Sequence, residues 1–242
     1  ITGWGKSKDE QAMRKAINDL GARVIVSPDG ELEITGWEEF PAKRRISAGE
    51  SGLGIRLLSF VCAAHNGAIT IDGQWSLVNR PMTVIEEQLP HFGAVCRSKN
   101  GFVPLEIQGP MQGATVSVDG SLSSQFISGL LMALPLANGD STLNVTDLKS
   151  GPYVEMTLQT LKAFGIRIDH RNLEHFSIPG NQVYQSTRYQ VDADWSSAGY
   201  WLIASALGHD LEITGLRNDS LQADKALLGF LEAANCEVVN SN

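Results

Sequence analysis

The sequence is short of positive charge and of long apolar runs. Its 242 residues contain 19 Lys and Arg against 27 Asp and Glu, which gives a formal net charge of −8 at pH 7. A general nucleic-acid-binding protein needs a basic face to neutralise phosphates, so no nucleic-acid partner is predicted. The most apolar run, residues 126–137, is well short of the roughly 20 residues that cross a bilayer. We therefore predict a core helix there and no membrane partner.

Cysteine and metal-binding motifs are equally scarce. Cys62, Cys96 and Cys236 are odd in number and far apart, and we predict buried free thiols in a reducing compartment, the cytoplasm. The five histidines show no HExxH or other ligand spacing and there is no CxxC pair, so no structural metal is expected. The sequence opens at Ile1 with no initiator Met and no charged-then-apolar leader, and we expect a cut chain.

The chain has enough apolar residues to form a sizeable core. Hydrophobic residues make up 43% of the chain and charged residues 19%, which is typical of a globular protein. The length is large for one domain and small for two. A complete domain plus a piece of another is the organisation that it predicts.

A repeat of about seventy residues runs along the chain. A helix that stops at a glycine occurs as INDLGARV at Gly21, LPHFGAVC at Gly93 and LKAFGIRI at Gly165, with spacings of 93 − 21 = 72 and 165 − 93 = 72. A fourth copy, LEAANCEV, has Asn235 in place of the glycine, 235 − 165 = 70 residues further on. Asn is the other residue that tolerates the left-handed conformation of such a helix end.

Two further segments keep nearly the same period. The alternating strands LEITG, LEIQG and FSIPG end at residues 36, 109 and 180. More apolar helices are led by Ser51, Ser123 and Ser196, with spacings of 123 − 51 = 72 and 196 − 123 = 73. One unit therefore reads strand, amphipathic helix, strand, strand, serine-led buried helix. This predicts an α+β fold in which parallel apolar helices lie inside, sheets lie outside, and the helix N-termini meet at one end.

That common end predicts an anion site. A helix N-terminus carries unpaired amide hydrogens and a partial positive charge, which suit a phosphate or carboxylate. Ser123 and Ser124 supply hydroxyls, Gln125 an amide, Gly52 room for close backbone approach and Arg80 a cation. These serines are equally explained as plain N-caps without a ligand.

Three other residues belong to the same zone. Arg56 lies one turn into the first apolar helix, and Pro81, directly after Arg80, is predicted at the first position of the next amphipathic helix. Ser150 is a candidate N-cap of the matching helix in the following repeat. Asp194 is a candidate N-cap of the third serine-led helix.

Four motifs together resemble one family, the 5-enolpyruvylshikimate-3-phosphate synthases. VDGSLSSQF at 118–126 is similar to its shikimate-phosphate serine motif, NRP at 79–81 to ERP, SGPY at 150–153 to SKPY or SRPY, and DWSSAGYWL at 194–202 to DxSSAxYxL. The resemblance implies two similar domains, each of three βαβαββ units, with the substrates bound between them. It places residues 1–190 in the first domain and 191–242 at the beginning of the second.

The resemblance also implies roles for single residues. Ser123, Ser124 and Ser150 would hold the phosphate of shikimate 3-phosphate. Gln125 would lie against its ring and near the enolpyruvyl group, and Tyr153 would line the shikimate side.

For the second substrate, phosphoenolpyruvate, the resemblance implies contacts from Gly52, Arg80 and Gln125, with Arg80 and Gln125 as the catalytic groups. The enolpyruvyl group would pass to the 5-hydroxyl of shikimate 3-phosphate with no cofactor and no metal. The complete protein would be a monomer.

Departures from the family limit what this chain is expected to do. The KSxSxR segment and the later half of the second domain have no counterpart, and the GNxGTxxR loop, at residues 49–56, carries Glu50 and Leu53 in place of Asn and Thr. We expect the isolated chain to be inactive. One alternative is a non-catalytic fragment that binds shikimate 3-phosphate. The other, a UDP-N-acetylglucosamine enolpyruvyl transferase, is disfavoured by the SSQ motif and by the lack of a cysteine in a Pro-Gly loop.

Overall fold

The computed structural model describes residues 1–121 and 123–239, which divide into two units. The first unit is Ile1–Tyr189, and the second begins at Gln190. The first half of the first unit contains α1 (Lys8–Asp19), β1 (Arg23–Val26), β2 (Leu32–Thr35), β3 (Lys43–Ser47), α2 (Gly52–Ala63), β4 (Ala68–Asp72), α3 (Thr83–Gln88), β5 (Val95–Lys99) and β6 (Phe102–Gln108). Its second half contains β7 (Thr115–Asp119), α4 (Ser124–Ala133), β8 (Ser141–Thr146), α5 (Gly151–Ala163), β9 (Asp169–Arg171) and β10 (His175–Ile178).

The predicted repeat is confirmed by the two four-stranded sheets. The elements from β3 to β6 follow the order βαβαββ, and their strands lie in the order β3-β4-β6-β5. The elements from β7 to β10 have the same element order and the equivalent strand order, β7-β8-β10-β9. In each sheet the first two strands are parallel and the other pairings are antiparallel. The fold is α+β, as the sequence predicts.

Left-handed residues end the amphipathic helices at the repeated position. Gly21, Gly93 and Gly165 have φ of 107°, 75° and 80°, and Asn235 has φ of 63°. A side chain at these angles is strained for most residues, which is why glycine or asparagine recurs at the seventy-residue spacing.

The two apolar helices of the first unit pack directly on each other. Arg56, near the start of α2, contacts Gln125 near the start of α4. One turn further along, a side chain at Gly129 of α4 would meet the ring of Phe60 on α2. The contacts advance together along both helices, so α2 and α4 run in the same direction and their N-termini lie at the same end.

The second unit contains α6 (Trp195–Ala206) and α7 (Leu227–Ala233). Asp194 caps α6, as predicted: its carboxylate accepts hydrogen bonds from the Ser196 amide at 3.0 Å and from the Ser197 hydroxyl at 2.5 Å. Because α6 belongs to this unit, its alignment with α2 and α4 stays a prediction.

One predicted helix start is wrong. Pro81 was expected to open a helix, but α3 begins at Thr83, and Arg80 follows the 3-10 turn Trp75–Asn79. Met82 explains the shift, because its amide donates to the Gly101 carbonyl at 2.7 Å and its side chain is fully buried. These contacts hold the chain in a non-helical conformation for two more residues.

The apolar run and the thiols can also be located. Residues of the run form α4 and the 3-10 turn Leu134–Leu136, and among the described residues no helix is both long and apolar enough to cross a membrane.

Cys62 and Cys96 are buried free thiols, as predicted. Cys236 is partly exposed instead, because it lies just after the left-handed turn that ends α7.

The close contact at Gly129 predicts a stability loss on Gly129→Ala. The added Cβ would lie 2.5 Å from Phe60 Cδ2 and 3.2 Å from the Arg56 carbonyl oxygen. Overpacking of this kind costs roughly 1–3 kcal/mol, against a helix-propensity gain of about 1 kcal/mol. We expect a net loss of up to about 2 kcal/mol in the free energy of unfolding, measured by urea denaturation.

A double-mutant cycle identifies the cause. In a Phe60→Leu background the ring is gone, so Gly129→Ala should cost markedly less than it does with Phe60 present. An equal cost in both backgrounds would contradict the packing account.

Burial also predicts which thiols react. It raises the pKa of Cys62 to about 12 and, together with the charge of Glu86, that of Cys96 to about 12. The thiolate is the reactive form, so both groups should stay protonated and inert between pH 7 and 9. A disulfide reagent at pH 8 should label one thiol of the native protein and all three in urea. Cys236→Ser should abolish the native signal, and prompt native labelling of this variant would contradict the assignment.

Candidate functional site

A cleft of about 670 Å³ opens where α2, α4 and α5 begin. Its rim is polar and comes from the starts of α4 and α5, and its floor is apolar. The rim includes Ser121, Ser123, Ser124, Gln125, Lys149, Ser150 and Tyr153, and the floor includes Leu53, Leu57, Met132 and Met156. The cleft therefore suits a ligand with charged and hydroxyl groups at one end and a less polar body.

The start of α4 is held by its own capping serine. The Ser123 hydroxyl oxygen accepts from the Gln125 amide at 3.2 Å, and Ser124 is the first helical residue. A hydroxyl that accepts still carries its own hydrogen, so Ser123 can cap the helix and donate to a ligand. Just before this turn, the Ser121 amide donates to Asp119 at 2.8 Å. Hydrogen bonding from the Ser121 hydroxyl, together with this amide bond, holds the pKa of the Asp119 carboxyl below its ordinary value, and the charge of Lys149 adds to the effect.

The start of α5 is built differently. Ser150 occupies the N-cap position, but its side chain makes no capping hydrogen bond. The neighbouring Lys149 Nζ lies 2.5 Å from Asp147 Oδ1. Deeper in the cleft, the buried hydroxyls of Ser128 on α4 and Thr157 on α5 are 2.7 Å apart, which ties the two helices together.

The described lining of this cleft favours an anion. Lys149 is the one charged side chain among the described lining residues, and two helix N-termini add their partial positive charges. A phosphate at the rim would meet serine hydroxyls, backbone amides and a cation, with no lining carboxylate to repel it.

Gly52 and Arg80 form a second group beside this cleft rather than in its lining. A Cβ added to Gly52 would clash with Arg80 Nη1 and would lie 3.2 Å from Arg56 Nη1. Both guanidinium groups therefore approach the backbone of Gly52 closely, which is possible because this residue has no side chain.

Arg56 joins the two groups. Its Nη1 donates to the Gly52 carbonyl oxygen at 3.0 Å and to Gln125 Oε1 at 2.8 Å. Its guanidinium carbon lies 5.3 Å from the centre of the Phe126 ring. Burial lowers the pKa of Arg56, and the charge of Arg80 lowers it further. A guanidinium nevertheless stays protonated throughout the physiological range.

Most of the residues singled out in the sequence are thus brought together. Ser123, Ser124, Gln125 and Ser150 line one cleft with Tyr153, while Gly52 and Arg80 touch each other and reach it through Arg56.

Two features of the site were not predicted from the sequence: the bond from Arg56 to Gln125 and the presence of Lys149. The sequence shows Arg56 one turn beyond Gly52, but not its bond to Gln125, a residue 69 positions away. Lys149 could have been noticed, because it directly precedes the SGPY motif. Glu50, an acid in the glycine-rich loop, is paired with Lys8 at 3.4 Å.

Comparison with known proteins agrees with this architecture. A family model described as EPSP synthase (3-phosphoshikimate 1-carboxyvinyltransferase) matches residues 1–242. A 3-phosphoshikimate 1-carboxyvinyltransferase of Clostridium beijerinckii is 33% identical over 251 residues, covering 100% of this chain and 58% of the relative. The corresponding protein of Idiomarina loihiensis is 38% identical over 248 residues, covering 96% of this chain and 56% of the relative.

A solved structure gives the same result. EPSP synthase from Acinetobacter baumannii superimposes with a TM-score of 0.77 at 25% identity, over 97% of this chain and 53% of that one. The chain therefore spans a little over half the length of the relatives that it matches. Since the family model covers all of its residues and the fold agrees with that of a solved member, the chain belongs to the EPSP synthase family.

Proposed function

We propose that this chain supplies the first-domain part of a 3-phosphoshikimate 1-carboxyvinyltransferase. Such an enzyme moves the enolpyruvyl group of phosphoenolpyruvate to the 5-hydroxyl of shikimate 3-phosphate. The observation that carries the proposal is the meeting of Ser123, Ser124, Gln125 and Ser150 at one cleft whose described lining contains a lysine and no carboxylate. Ser123 also caps α4, but Ser150 makes no capping bond, so helix capping does not account for the whole group.

Shikimate 3-phosphate would lie with its phosphate at the rim. The hydroxyls of Ser123, Ser124 and Ser150 would donate to the phosphate oxygens, and Lys149 would balance part of the charge. The ring would rest toward Gln125 and Tyr153. Because Ser150 makes no capping bond in its own helix, its hydroxyl is well suited to this task.

Phosphoenolpyruvate would lie beside it, at Gly52 and Arg80. The backbone of Gly52 permits close approach, and the Arg80 guanidinium matches a carboxylate or phosphate with two parallel hydrogen bonds. Gln125, which lines the cleft and is bonded to Arg56, would contact both substrates. We therefore assign Arg80 and Gln125 to the catalytic group.

In the proposed reaction the 5-hydroxyl gives up its proton and its oxygen bonds to C2 of phosphoenolpyruvate. The methylene carbon of phosphoenolpyruvate gains a proton, and the carbon–carbon double bond becomes single. The tetrahedral adduct then loses phosphate and a methyl proton, which restores the double bond. This chain would contribute positioning and charge neutralisation. The described lining of the cleft contains no carboxylate, in keeping with proton-transfer groups supplied by another part of the enzyme.

The domain assignment follows the same proposal. We assign residues 1–190 to the first domain of the enzyme and 191–242 to the beginning of the second. The division of the structure between Tyr189 and Gln190 supports this boundary. We also expect a cytoplasmic location, which suits the buried free thiols, and a monomer when complete, because every substrate contact proposed here comes from one chain.

We expect the 242-residue polypeptide alone to bind shikimate 3-phosphate without catalysing the reaction. Titration calorimetry should detect shikimate 3-phosphate with a dissociation constant on the order of millimolar or below, and phosphate release from both substrates should be absent. Positioning against a second domain is worth roughly 7–11 kcal/mol in favourable cases, and half a site lacks it.

Two serine variants test the predicted binding of shikimate 3-phosphate, one in the site and one as a control. Ser150→Ala should weaken binding several-fold without changing stability, because Ser150 does not cap its helix. Ser177→Ala, an exposed change on β10, should have no effect. Lack of binding at millimolar ligand would refute the serine assignment, and robust phosphate release would refute the division of labour.

Arg80→Ala should separate binding from folding. The side chain is exposed, so the free energy of unfolding should change by less than about 0.5 kcal/mol. Loss of a charged hydrogen-bonding partner should weaken phosphoenolpyruvate binding by about 1.5–3 kcal/mol, tenfold or more. Arg23→Ala, an exposed arginine on β1, controls for net charge. Equal effects of the two variants on binding would favour general electrostatics over a specific contact.

A further inference from the structure

We propose that Arg56 is a positioning residue that fixes the orientation of the Gln125 side-chain amide, so that its NH2 group faces the substrates. This inference rests on the proposed function, because it names how one member of that site is held. Arg56 itself would touch neither substrate. It would act through the hydrogen bond to Gln125.

The orientation follows from donor and acceptor chemistry. A guanidinium has N–H donors and no acceptor, whereas a glutamine amide has one acceptor oxygen and one donor nitrogen. The Gln125 atom that meets Arg56 Nη1 at 2.8 Å must therefore be Oε1. The NH2 group is left on the other side of the amide, and Gln125 lines the cleft. A glutamine without such a partner could turn over and present its oxygen to an anion.

Arg56 is itself held in place. Its Nη1 also donates to the carbonyl of Gly52, one turn earlier on the same helix, and its guanidinium lies over the Phe126 ring. Its Nε is buried, with no hydrogen-bond partner among the described residues. Leaving a buried donor unpaired carries a cost. The arrangement thus keeps Nη1 on its two acceptors at the expense of Nε.

Arg56 and the neighbouring Arg80 have different roles. Arg56 and Arg80 both approach Gly52, yet the two hydrogens of Arg56 Nη1 are taken by protein oxygens. Arg80 is exposed whereas Arg56 is partly buried, so Arg80 is the more accessible of the pair to a ligand. Arg56 contributes its charge and the direction of the Gln125 amide, while Arg80 contributes the direct contact.

Nuclear magnetic resonance of the 242-residue chain tests the orientation without any substrate. The Gln125 side-chain NH2 resonances are identified by their disappearance in Gln125→Met. Accepting a charged hydrogen bond at Oε1 polarises the amide, so we expect the NH2 nitrogen and proton shifts of the parent chain to lie downfield of those of a free glutamine amide. They should move toward the free values in Arg56→Met, with Arg56→Lys in between because an ammonium can still donate to Oε1. Unchanged signals in both Arg56 variants would overturn the proposal, and Arg56→Lys keeps the test valid if Arg56→Met does not fold.

Calorimetry with shikimate 3-phosphate tests the consequence. Arg56→Met and Gln125→Met should each weaken binding about tenfold, and the double variant should be no weaker than either single one, since both remove the same donor. Fully additive losses would overturn the proposal. No binding by the parent chain would refute the proposed function, while the ligand-free resonances would still decide the orientation.

Discussion

The candidate site depends on the direct packing of α2 against α4. Gly129 has no side chain, so the ring of Phe60 lies against the backbone of the opposite helix. This contact brings the starts of the two helices within reach of a single arginine side chain, and Arg56 spans them. Protein interiors are nearly incompressible, so a bulkier residue at position 129 would change the distance between the starts of α2 and α4.

A strongly acidic chain can still hold anions because its cations are local. The net charge is −8, yet Arg56 and Arg80 lie at the start of α2, Lys149 directly precedes α5, and the described lining of the cleft has no carboxylate. The acid of the glycine-rich loop, Glu50, is matched by Lys8 from α1. Overall charge excludes a polyanion-binding surface, whereas a small phosphate responds to the potential within a few ångströms.

Features that depend on nearby residues could be predicted from the sequence. The repeat, the glycine and asparagine helix ends, and the caps at Ser51, Ser123 and Asp194 are all set by a few adjacent positions. The links between repeats could not be predicted, because they depend on how helices 70 residues apart are packed. The bond between Arg56 and Gln125 is of this kind. The contact of Met82 with Gly101, which delays α3, lies within one repeat but also depends on tertiary packing rather than on adjacent residues.

The hydroxyl pair between α4 and α5 has a fixed direction. Thr157 uses its hydroxyl hydrogen on the Tyr153 carbonyl at 2.9 Å, so in the 2.7 Å contact Ser128 must be the donor and Thr157 the acceptor. The two residues are consequently not interchangeable. Alanine at Ser128 leaves Thr157 still bonded to Tyr153, whereas valine at Thr157 leaves the buried hydrogen of Ser128 without this acceptor, at a cost of about 1–3 kcal/mol. Substitution should therefore be tolerated better at position 128 of α4 than at position 157 of α5.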